Sequence, residues 1–257
     1  MKLCVLVKQV PGSESALRIA SSNTWIEETA ALFEMNESDN YALEEALQIK
    51  EALGNDPEVV VVSMGPERVQ KVIREALAKG ADRGIHINEI TEIKSDPFAT
   101  SQAFANVIKD ENFDLIFTGL QSDDVGSGQT GVILGELLGM ATATLVMATE
   151  VKDGSIRVKR ELESGWFQWV TMPMPASITI QSGINQPRYP SLKGIMGAKK
   201  KEIKVVDQNT ITAPEKQQSF ANIYLPTAEK KTDMIEGNLD QMVSRLVEVL
   251  KTEIKVL

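Results

Sequence analysis

Four short runs of apolar residues, each followed by a segment with helical spacing, constrain the first half of this chain most. The runs lie at residues 2–7, 58–64, 81–87 and 113–118. A run without polar alternation is typical of a strand buried on both faces of a parallel sheet, and the helical segments between the runs can serve as crossovers. The repeated βαβ pattern predicts an α/β fold with a doubly wound, mostly parallel sheet.

A glycine-rich loop follows the fourth apolar run and precedes another helical segment. Gly126 and Gly128 allow the backbone to approach a ligand, while Ser127, Gln129 and Thr130 offer side-chain donors. The N-terminus of the next helix presents unpaired N–H groups and a positive dipole end. Because open parallel sheets bind ligands where their strands end, this position favours a nucleotide phosphate over a simple surface turn.

Two acidic residues and a familiar motif share this loop. Asp123 and Asp124 would repel an anion if they pointed inward, so we expect them to contact ribose hydroxyls, cap the helix or face water. Residues 126–131 also match the G-x-G-x-x-G fingerprint of dinucleotide-binding domains. That match is weak, because Gly126 lies seven positions after Gly119, whereas the fingerprint places its glycines directly after the strand.

Composition excludes several classes of protein. A net charge of −9 argues against general nucleic-acid binding, which requires clustered basic surface. No apolar stretch approaches the ~20 residues of a membrane span, and the first apolar run is too short for a signal peptide. The single histidine, His86, cannot build a metal site with cysteine partners, and neither a Ser-His-Asp nor a Cys-His set stands out. We expect a soluble, cytoplasmic protein that carries, senses or structurally holds a nucleotide rather than a catalyst.

The pattern changes after Gly139 to four predicted strands joined by short turns, which indicates a β-rich extension of the sheet. The strands are predicted at residues 141–150, 155–162, 166–172 and 176–180, with turns at 152–154 and 163–165. Trp166, Phe167 and Trp169 lie in one of these strands, where packing on the sheet is favoured over a stacking site for a ligand.

Residues 185–204 combine prolines, glycines, basic residues and apolar residues. The sequence NQPRYPSLKGIMGAKKKEIK predicts an extended, protruding loop rather than a helix or a strand. Leu192, Ile195 and Met196 lie among lysines, which is the composition of a protein-docking patch. Composition alone leaves a second alternative equally open, in which these apolar side chains fold back into the core.

The C-terminal part reads as an arm followed by a helix. Residues 208–231 contain turn residues and little periodicity, whereas 238–256 carry an apolar stripe of amphipathic helical spacing. We therefore expect a nucleotide-binding domain at 1–206 and an arm with a helix at 207–257. The helix is expected to pack on a partner subunit.

Several motifs together resemble the β subunit of electron transfer flavoproteins over nearly the whole chain. They are LVKQVP, NESDNYALEEA, VSMGP, ALAKGADRGIH, GLQSDDVGSGQTG, VKRELESG and NQPRYPSLKGIMGAKKK. Some are weak singly, but their order and spacing are specific.

The resemblance implies an obligate heterodimer with an α subunit that carries most of the FAD, while the β subunit holds a structural AMP. It implies electron uptake from flavin dehydrogenases, such as acyl-CoA dehydrogenases, and delivery to an acceptor such as a quinone oxidoreductase. Applied to this chain, it places no catalytic residue and no metal ligand here, and assigns the AMP site to Leu6, Asn36, Glu37, Ser38, Asp39, Met64, Gly119, Gln121, Ser122, Asp123, Asp124, Val125, Gly126, Ser127, Gly128, Gln129 and Thr130. It also identifies 185–204 as the recognition loop, with Leu192 as its anchor, and assigns docking to Pro187, Arg188, Tyr189, Leu192, Ile195 and Met196.

The chain departs from the family pattern at two places, and other functions remain as alternatives. Many members carry an aromatic residue near the flavin where this chain reads Pro11-Gly12-Ser13. Electron-bifurcating relatives hold a second FAD in place of AMP, and their loop reads D-G-D-T, which this loop lacks. A different class, an NAD(P)-dependent dehydrogenase, would use the letters GSGQTG and Glu150 as the ribose ligand. A third alternative is a nucleotide-binding stress-type sensor without a redox partner.

Overall fold

Two compact units, Met1–Asn222 and Ile223–Leu257, divide the chain. The computed structural model describes residues 1–54, 56–88, 96–152, 154–207, 216–226 and 232–256. The boundary predicted from the sequence lies after residue 206. The first unit extends further because residues 216–222 contact it, through hydrogen bonds to Asp96 and an aromatic stack on Trp25.

The first unit is built on a twisted sheet between two layers of helices. The strands are β1 (Lys2–Leu6), β2 (Gln9–Pro11), β3 (Phe33–Met35), β4 (Glu58–Gly65), β5 (Arg83–Asn88), β6 (Leu115–Gly119), β7 (Ala141–Lys152), β8 (Ser155–Glu161), β9 (Phe167–Pro173), β10 (Ala176–Ile180) and β11 (Ile203–Asp207). The helices are α1 (Glu37–Ala52), α2 (Gln70–Lys79), α3 (Pro97–Ile108), α4 (Thr130–Leu137) and α5 (Leu192–Ala198).

Within the described residues, nine strands form one sheet in the order β11-β5-β4-β1-β6-β10-β7-β8-β9. All neighbours from β11 to β7 pair in parallel, and only β8 and β9 pair antiparallel. The predicted doubly wound, mostly parallel sheet with a β-rich extension is therefore confirmed. The chain leaves β1 toward β4 on one side and returns through β6 on the other, so the switch point of the sheet lies between β1 and β6.

Apolar side chains on the two faces of the sheet form two separate cores. Helices α1 and α2 cover one face through residues such as Leu43 and Ile73, together with Phe117 from β6. Helices α3 and α4 cover the other face through Phe104 and Leu134. The central strands are buried on both faces, which explains their continuous apolar runs.

The predicted extended loop at 185–204 is wrong in its local structure, because it contains a helix and a strand. Ser191 begins α5 by accepting a hydrogen bond from the Gly194 N–H at 3.0 Å. Strand β11 then pairs in parallel with β5 and forms one edge of the sheet. The prolines and glycines of this segment are typical of a loop, so the sequence did not predict the helix. Only tertiary contacts stabilise so short an element.

Two smaller features concern a short strand and a turn. A short strand, β3, precedes α1 and pairs antiparallel with β2. The turn at 152–154 includes position 153, which lies outside the described residues.

The aromatic residues of β9 do not pack as predicted. The side chain of Trp166 is 72% exposed, and Phe167 and Trp169 are also exposed. The rings of Phe167 and Trp169 instead contact cationic side chains of the neighbouring strand. Arg157 lies 4.3 Å from the Trp169 ring centre, and Lys159 lies 3.9 Å from the Phe167 ring centre. These aromatic side chains are exposed because β9 forms the second edge of the sheet.

The second unit contains one described helix, α6 (Leu239–Thr252). Its N-terminus carries a capping box, in which Asn238 and Gln241 each accept a hydrogen bond from the other residue's backbone N–H. Its apolar stripe, which includes Leu239, Val243 and Leu246, is exposed. Within the described residues, no helix is both long enough and apolar enough to cross a membrane.

Candidate functional site: a cavity at the switch point of the sheet

A cavity lies where β1, β4 and β6 end, next to the start of α4. Most of the predicted site residues line it: Leu6, Asn36, Asp39, Met64, Gly119, Gln121, Ser122, Asp124, Val125, Ser127, Gly128, Gln129 and Thr130. Four predicted residues, Glu37, Ser38, Asp123 and Gly126, do not line it. The cavity position follows from topology, since adjacent loops run in opposite directions at a switch point and leave a crevice.

Three positions in and just after the glycine-rich loop accept only glycine without strain. Gly126 and Gly128 adopt left-handed backbone angles, with φ of +67° and +62°. Gly131, in the first turn of α4, lies against β6 so closely that a Cβ atom would come within 2.4 Å of the Thr118 Oγ1 atom. Gln129, which precedes α4, makes no side-chain cap hydrogen bond, so the start of this helix faces the cavity without a side-chain cap.

Asp39 holds two strand ends together beneath the cavity. Its Oδ2 atom accepts a hydrogen bond from the Lys8 N–H at 2.7 Å, and its Oδ1 atom accepts one from the Gly119 N–H at 2.9 Å. Burial raises the pKa of this carboxyl to about 6, although the hydrogen bonds act in the opposite direction. Gly119 must be glycine, because a Cβ atom there would lie 2.1 Å from the Ser38 Oγ atom.

The start of α1 and the glycine-rich loop exchange hydrogen bonds. Asn36 accepts a bond from the Asp123 N–H at 2.9 Å, and Asn36 and Ser38 both donate to the Gln121 carbonyl, at 3.0 and 2.7 Å. In return, Asp123 accepts a bond from the Glu37 N–H at 3.0 Å and thereby caps α1. Glu37, Ser38 and Asp123 therefore position the loop and do not form the cavity wall.

Both acidic residues of the loop bind other groups of the protein. Asp123 caps α1, as described above, rather than α4, the helix named in the prediction. Asp124 forms an ion pair with Lys8, whose Nζ atom lies 2.6 Å from its Oδ1 atom and 3.2 Å from the Ser122 Oγ atom. This pairing removes the expected repulsion of an anion by Asp124.

Lys8 and Thr118 are among the polar residues of the cavity that were not predicted as site residues. Both lie at strand ends, Lys8 two positions after the end of β1 and Thr118 one position before the end of β6. The Thr118 hydroxyl is buried and has no hydrogen-bond partner among the residues that the structure describes. A buried hydroxyl without a partner is a polar group that a bound ligand or a water molecule can satisfy. The signal was available, because polar residues at the carboxyl ends of parallel strands are typical ligand contacts.

A second wall of the cavity combines an arginine with aromatic rings. The Arg68 guanidinium lies 3.7 Å from the Phe33 ring centre, 3.1 Å from the Glu28 carboxylate and 2.5 Å from the Gln9 side-chain oxygen. Trp25 donates its indole N–H to Glu28 at 2.9 Å. None of these residues was predicted, because they come from four separate parts of the chain.

The residues of the predicted docking group lie on and before α5, away from the cavity lining. Tyr189 is 94% exposed, Leu192 is 81% exposed, and Ile195 and Met196 are exposed as well. The alternative in which Leu192 and Ile195 fold into the core is therefore wrong. Pro187 is half-buried. Arg188 differs from the others, because its guanidinium forms ion pairs with Glu44 and Glu51 of α1.

The lining of the cavity does not match the NAD(P)-dependent alternative. Among the described residues that line the cavity there is no histidine and no cysteine. Glu150, which an NAD(P) site would use, lies on β7, pairs with Arg157 and does not line the cavity.

This chain is similar to known proteins over most of its length. The family model described as "Electron transfer flavoprotein domain" matches residues 24–211, which include the glycine-rich loop and α5. A protein of Methylophilus methylotrophus named "Electron transfer flavoprotein subunit beta" is 36% identical over 259 residues, covering 97% of this chain and 98% of the relative.

Two further relatives carry the same name. The Bacillus subtilis (strain 168) protein is 32% identical over 262 residues, and the alignment covers 100% of both chains. The Bradyrhizobium diazoefficiens protein is 40% identical over 203 residues, covering 79% of this chain and 80% of the relative. This chain therefore belongs to the electron transfer flavoprotein family, and its role is electron transfer.

Proposed function

We propose that this chain is the β subunit of a heterodimeric electron transfer flavoprotein and that its cavity binds AMP as a structural ligand. The observation that supports AMP most directly is the unpartnered, buried Thr118 hydroxyl beside the glycine-rich loop and the start of α4. Phosphate binding at such a helix start is favoured by the backbone N–H groups and the helix dipole. The polar lining fits a nucleotide, and Lys8 neutralises Asp124 beside the phosphate position.

The residues of the cavity divide into those suited to phosphate and those suited to the base. Ser127, Gln129 and Thr130 offer donors to the phosphate, whereas Leu6, Met64 and Phe104 form an apolar wall for adenine. Neither set contains a redox-active group. In this proposal the chain supplies a binding scaffold, and it is an electron-carrier subunit rather than a catalyst on its own.

The redox chemistry of the proposed complex belongs to FAD held mainly by an α subunit, with this chain contributing to the FAD site at the interface between the subunits. The exposed apolar stripe of α6 and the exposed aromatic edge at β9 are surfaces that a subunit partner would cover. The docking group on α5 receives flavin dehydrogenases, such as acyl-CoA dehydrogenases, and a quinone oxidoreductase accepts the electrons.

The test is to coexpress the chain with its genomic neighbour, purify the complex, denature it and quantify the released nucleotides. One FAD and one AMP for each heterodimer is the expected result. Two FAD and no AMP would replace the AMP proposal by electron bifurcation, and the absence of a bound partner and of both nucleotides would contradict the whole proposal.

A pair of matched variants tests the position of AMP. Thr118→Val removes the buried hydroxyl of a residue that lines the cavity. We expect the AMP content of the purified complex to fall after dialysis, since a hydrogen bond to a ligand contributes roughly 1 kcal/mol. Thr179→Val is the control, because its hydroxyl on β10 is also buried and unpartnered but does not line the cavity. Equal AMP loss from both variants would show that the hydroxyl of Thr118 has no special role.

A further inference from the structure

Arg188 is unlike the other residues of the docking group, because its side chain points into the protein. Its Nε and Nη2 atoms bind the two carboxylate oxygens of Glu44 at 2.8 and 2.9 Å, and its backbone N–H binds Glu44 at 3.1 Å. The outer half of the guanidinium pairs with Glu51. Glu44 is only 5% exposed, so this bidentate pair is fixed on the α1 side.

A neighbouring contact strengthens this attachment. Asn185 donates its side-chain amide to the Tyr41 carbonyl at 3.1 Å and to Glu45 at 3.0 Å. Glu45 in turn accepts a 2.5 Å hydrogen bond from Thr149 on β7. The segment that leads into α5 is therefore tied to α1 at two positions.

Two cationic side chains, Arg74 of α2 and Lys201, attach the other end of α5 to α2. Arg74 donates to the carbonyls of Ala198 and Lys201, both at 2.6 Å. Lys201 donates back to the Leu77 carbonyl at 3.0 Å and to the Ala81 carbonyl at 2.5 Å. Between these two ends, Gly194 packs so closely on α2 that a Cβ atom would lie 2.2 Å from the Ala78 carbonyl oxygen.

We infer that Arg188 is a positioning residue, which fastens α5 to α1 through Glu44 and Glu51 so that the exposed face of Tyr189, Leu192 and Met196 is ordered before a partner arrives. This inference rests on the proposed docking function. A seven-residue helix does not hold its shape by itself, so the two attachments supply its order. Ordering a binding segment in advance lowers the entropy cost of association.

The chemistry of the face also defines the partner surface. Lys193, Lys199 and Lys200 are exposed around the apolar side chains. A fitting partner therefore presents an apolar pocket with acidic residues on its rim. Arg188 adds little to that charge, because Glu44 and Glu51 already compensate it.

The decisive variant is Glu44→Gln, because a residue buried in α1 cannot touch the partner directly. The probe is an acyl-CoA dehydrogenase with its acyl-CoA, which reduces the purified heterodimer. We expect the KM for the heterodimer to rise by about tenfold, the equivalent of losing the advance ordering of one or two side chains, with kcat within about twofold. The control is Glu150→Gln, which removes an exposed ion pair on β7 and should leave KM unchanged.

A double variant separates positioning from direct contact. In the Leu192→Ala background, Glu44→Gln should have no further effect on KM, because the face that it positions has lost its anchor. An unchanged KM in Glu44→Gln, beside a raised KM in Leu192→Ala, overturns the positioning role and leaves the docking function intact. An unchanged KM in Leu192→Ala overturns the docking function, and this inference with it.

A second measurement does not depend on the partner. Trypsin cleavage after Lys193 and Lys199 should be faster in Glu44→Gln than in the natural protein, because cleavage requires local opening of the segment. Equal cleavage rates would contradict the inference. If Glu44→Gln fails to fold, Glu51→Gln takes its place, since that side chain is half-exposed and forms the outer part of the same pair.

Discussion

At the residue scale, the cavity depends on side chains that connect parts of the chain far apart in sequence. Asp39 accepts hydrogen bonds from backbone N–H groups at the ends of both β1 and β6. Asn36 accepts a bond from the Asp123 N–H, and Asp123 accepts one from the N–H of Glu37, the neighbour of Asn36. These bonds set the distance between the glycine-rich loop and the strands that carry the rest of the lining. Burying the Asp39 charge opposes folding, and this cost is retained where it shapes a binding site.

Asp39 gives a stability prediction with a defined pH dependence. Because its folded pKa is about 6 and thus above the ordinary value of 3.8, the folded state takes up a proton as the pH falls through about 6, and the free energy of unfolding rises. Asp39→Asn lacks this titration. We expect the natural protein to gain about 1 kcal/mol relative to the variant between pH 7 and pH 5, measured by urea unfolding. A constant difference across this range would contradict the assigned titration.

At the element scale, short segments owe their conformation to particular partners. Helix α3 begins at Asp96, whose Oδ1 atom accepts bonds from the N–H groups of Phe98 and Ala99 at 2.8 and 3.0 Å. Its other oxygen accepts bonds from Gln217 and from Gln218, the latter at 3.0 Å. Burial alone would raise the pKa of Asp96, but these four N–H groups lower it.

Asp96→Ala should therefore lower the free energy of unfolding by about 2 kcal/mol at pH 7. The variant removes the N-cap of α3 and the further hydrogen bonds to a buried carboxylate. Since its folded pKa lies below the ordinary 3.8, the stabilisation is present above that pH and is lost as the pH falls through the folded pKa. Urea unfolding measures both effects. Asp110→Ala, an exposed aspartate just after the same helix, is the control and should change stability by less than about 0.5 kcal/mol.

At the scale of the whole molecule, the two units differ in how much apolar surface each buries within itself. Both large apolar cores lie within Met1–Asn222, whereas the stripe of α6 in the second unit is exposed. A unit with a full core can fold alone, while an exposed stripe of this kind suits a protein partner.

A chain that ends at Asn222 should keep the cooperative unfolding of the first unit but lose stable copurification with the α subunit. Circular dichroism during urea unfolding measures the first property, and gel filtration of the coexpressed chains measures the second. Leu246→Glu in the full chain, which places a charge in the stripe, is expected to weaken the complex without affecting the first unit. A complex of full stability from the shortened chain would exclude α6 as a subunit contact.

The parallel sheet and the loop that borders the cavity could be predicted from the amino-acid sequence alone. Continuous apolar runs identify strands buried on both faces, and glycines after a strand and before a helix identify the loop that lines the cavity, because both signals are local. Gly126, Gly128 and Thr130 could therefore be predicted from neighbouring residues alone.

The contacts between distant side chains could not be predicted from the sequence. Arg188 and Glu44 lie 144 positions apart, and Lys8 and Asp124 lie 116 apart, so no local pattern links them. The same holds for α5, for the exposed edge strand β9 and for Thr118, whose unpartnered hydroxyl follows from the packing around it. The physical reason is that hydrophobic periodicity specifies how each segment is buried, whereas the pairing of charges and hydrogen bonds depends on which segments the sheet order brings together.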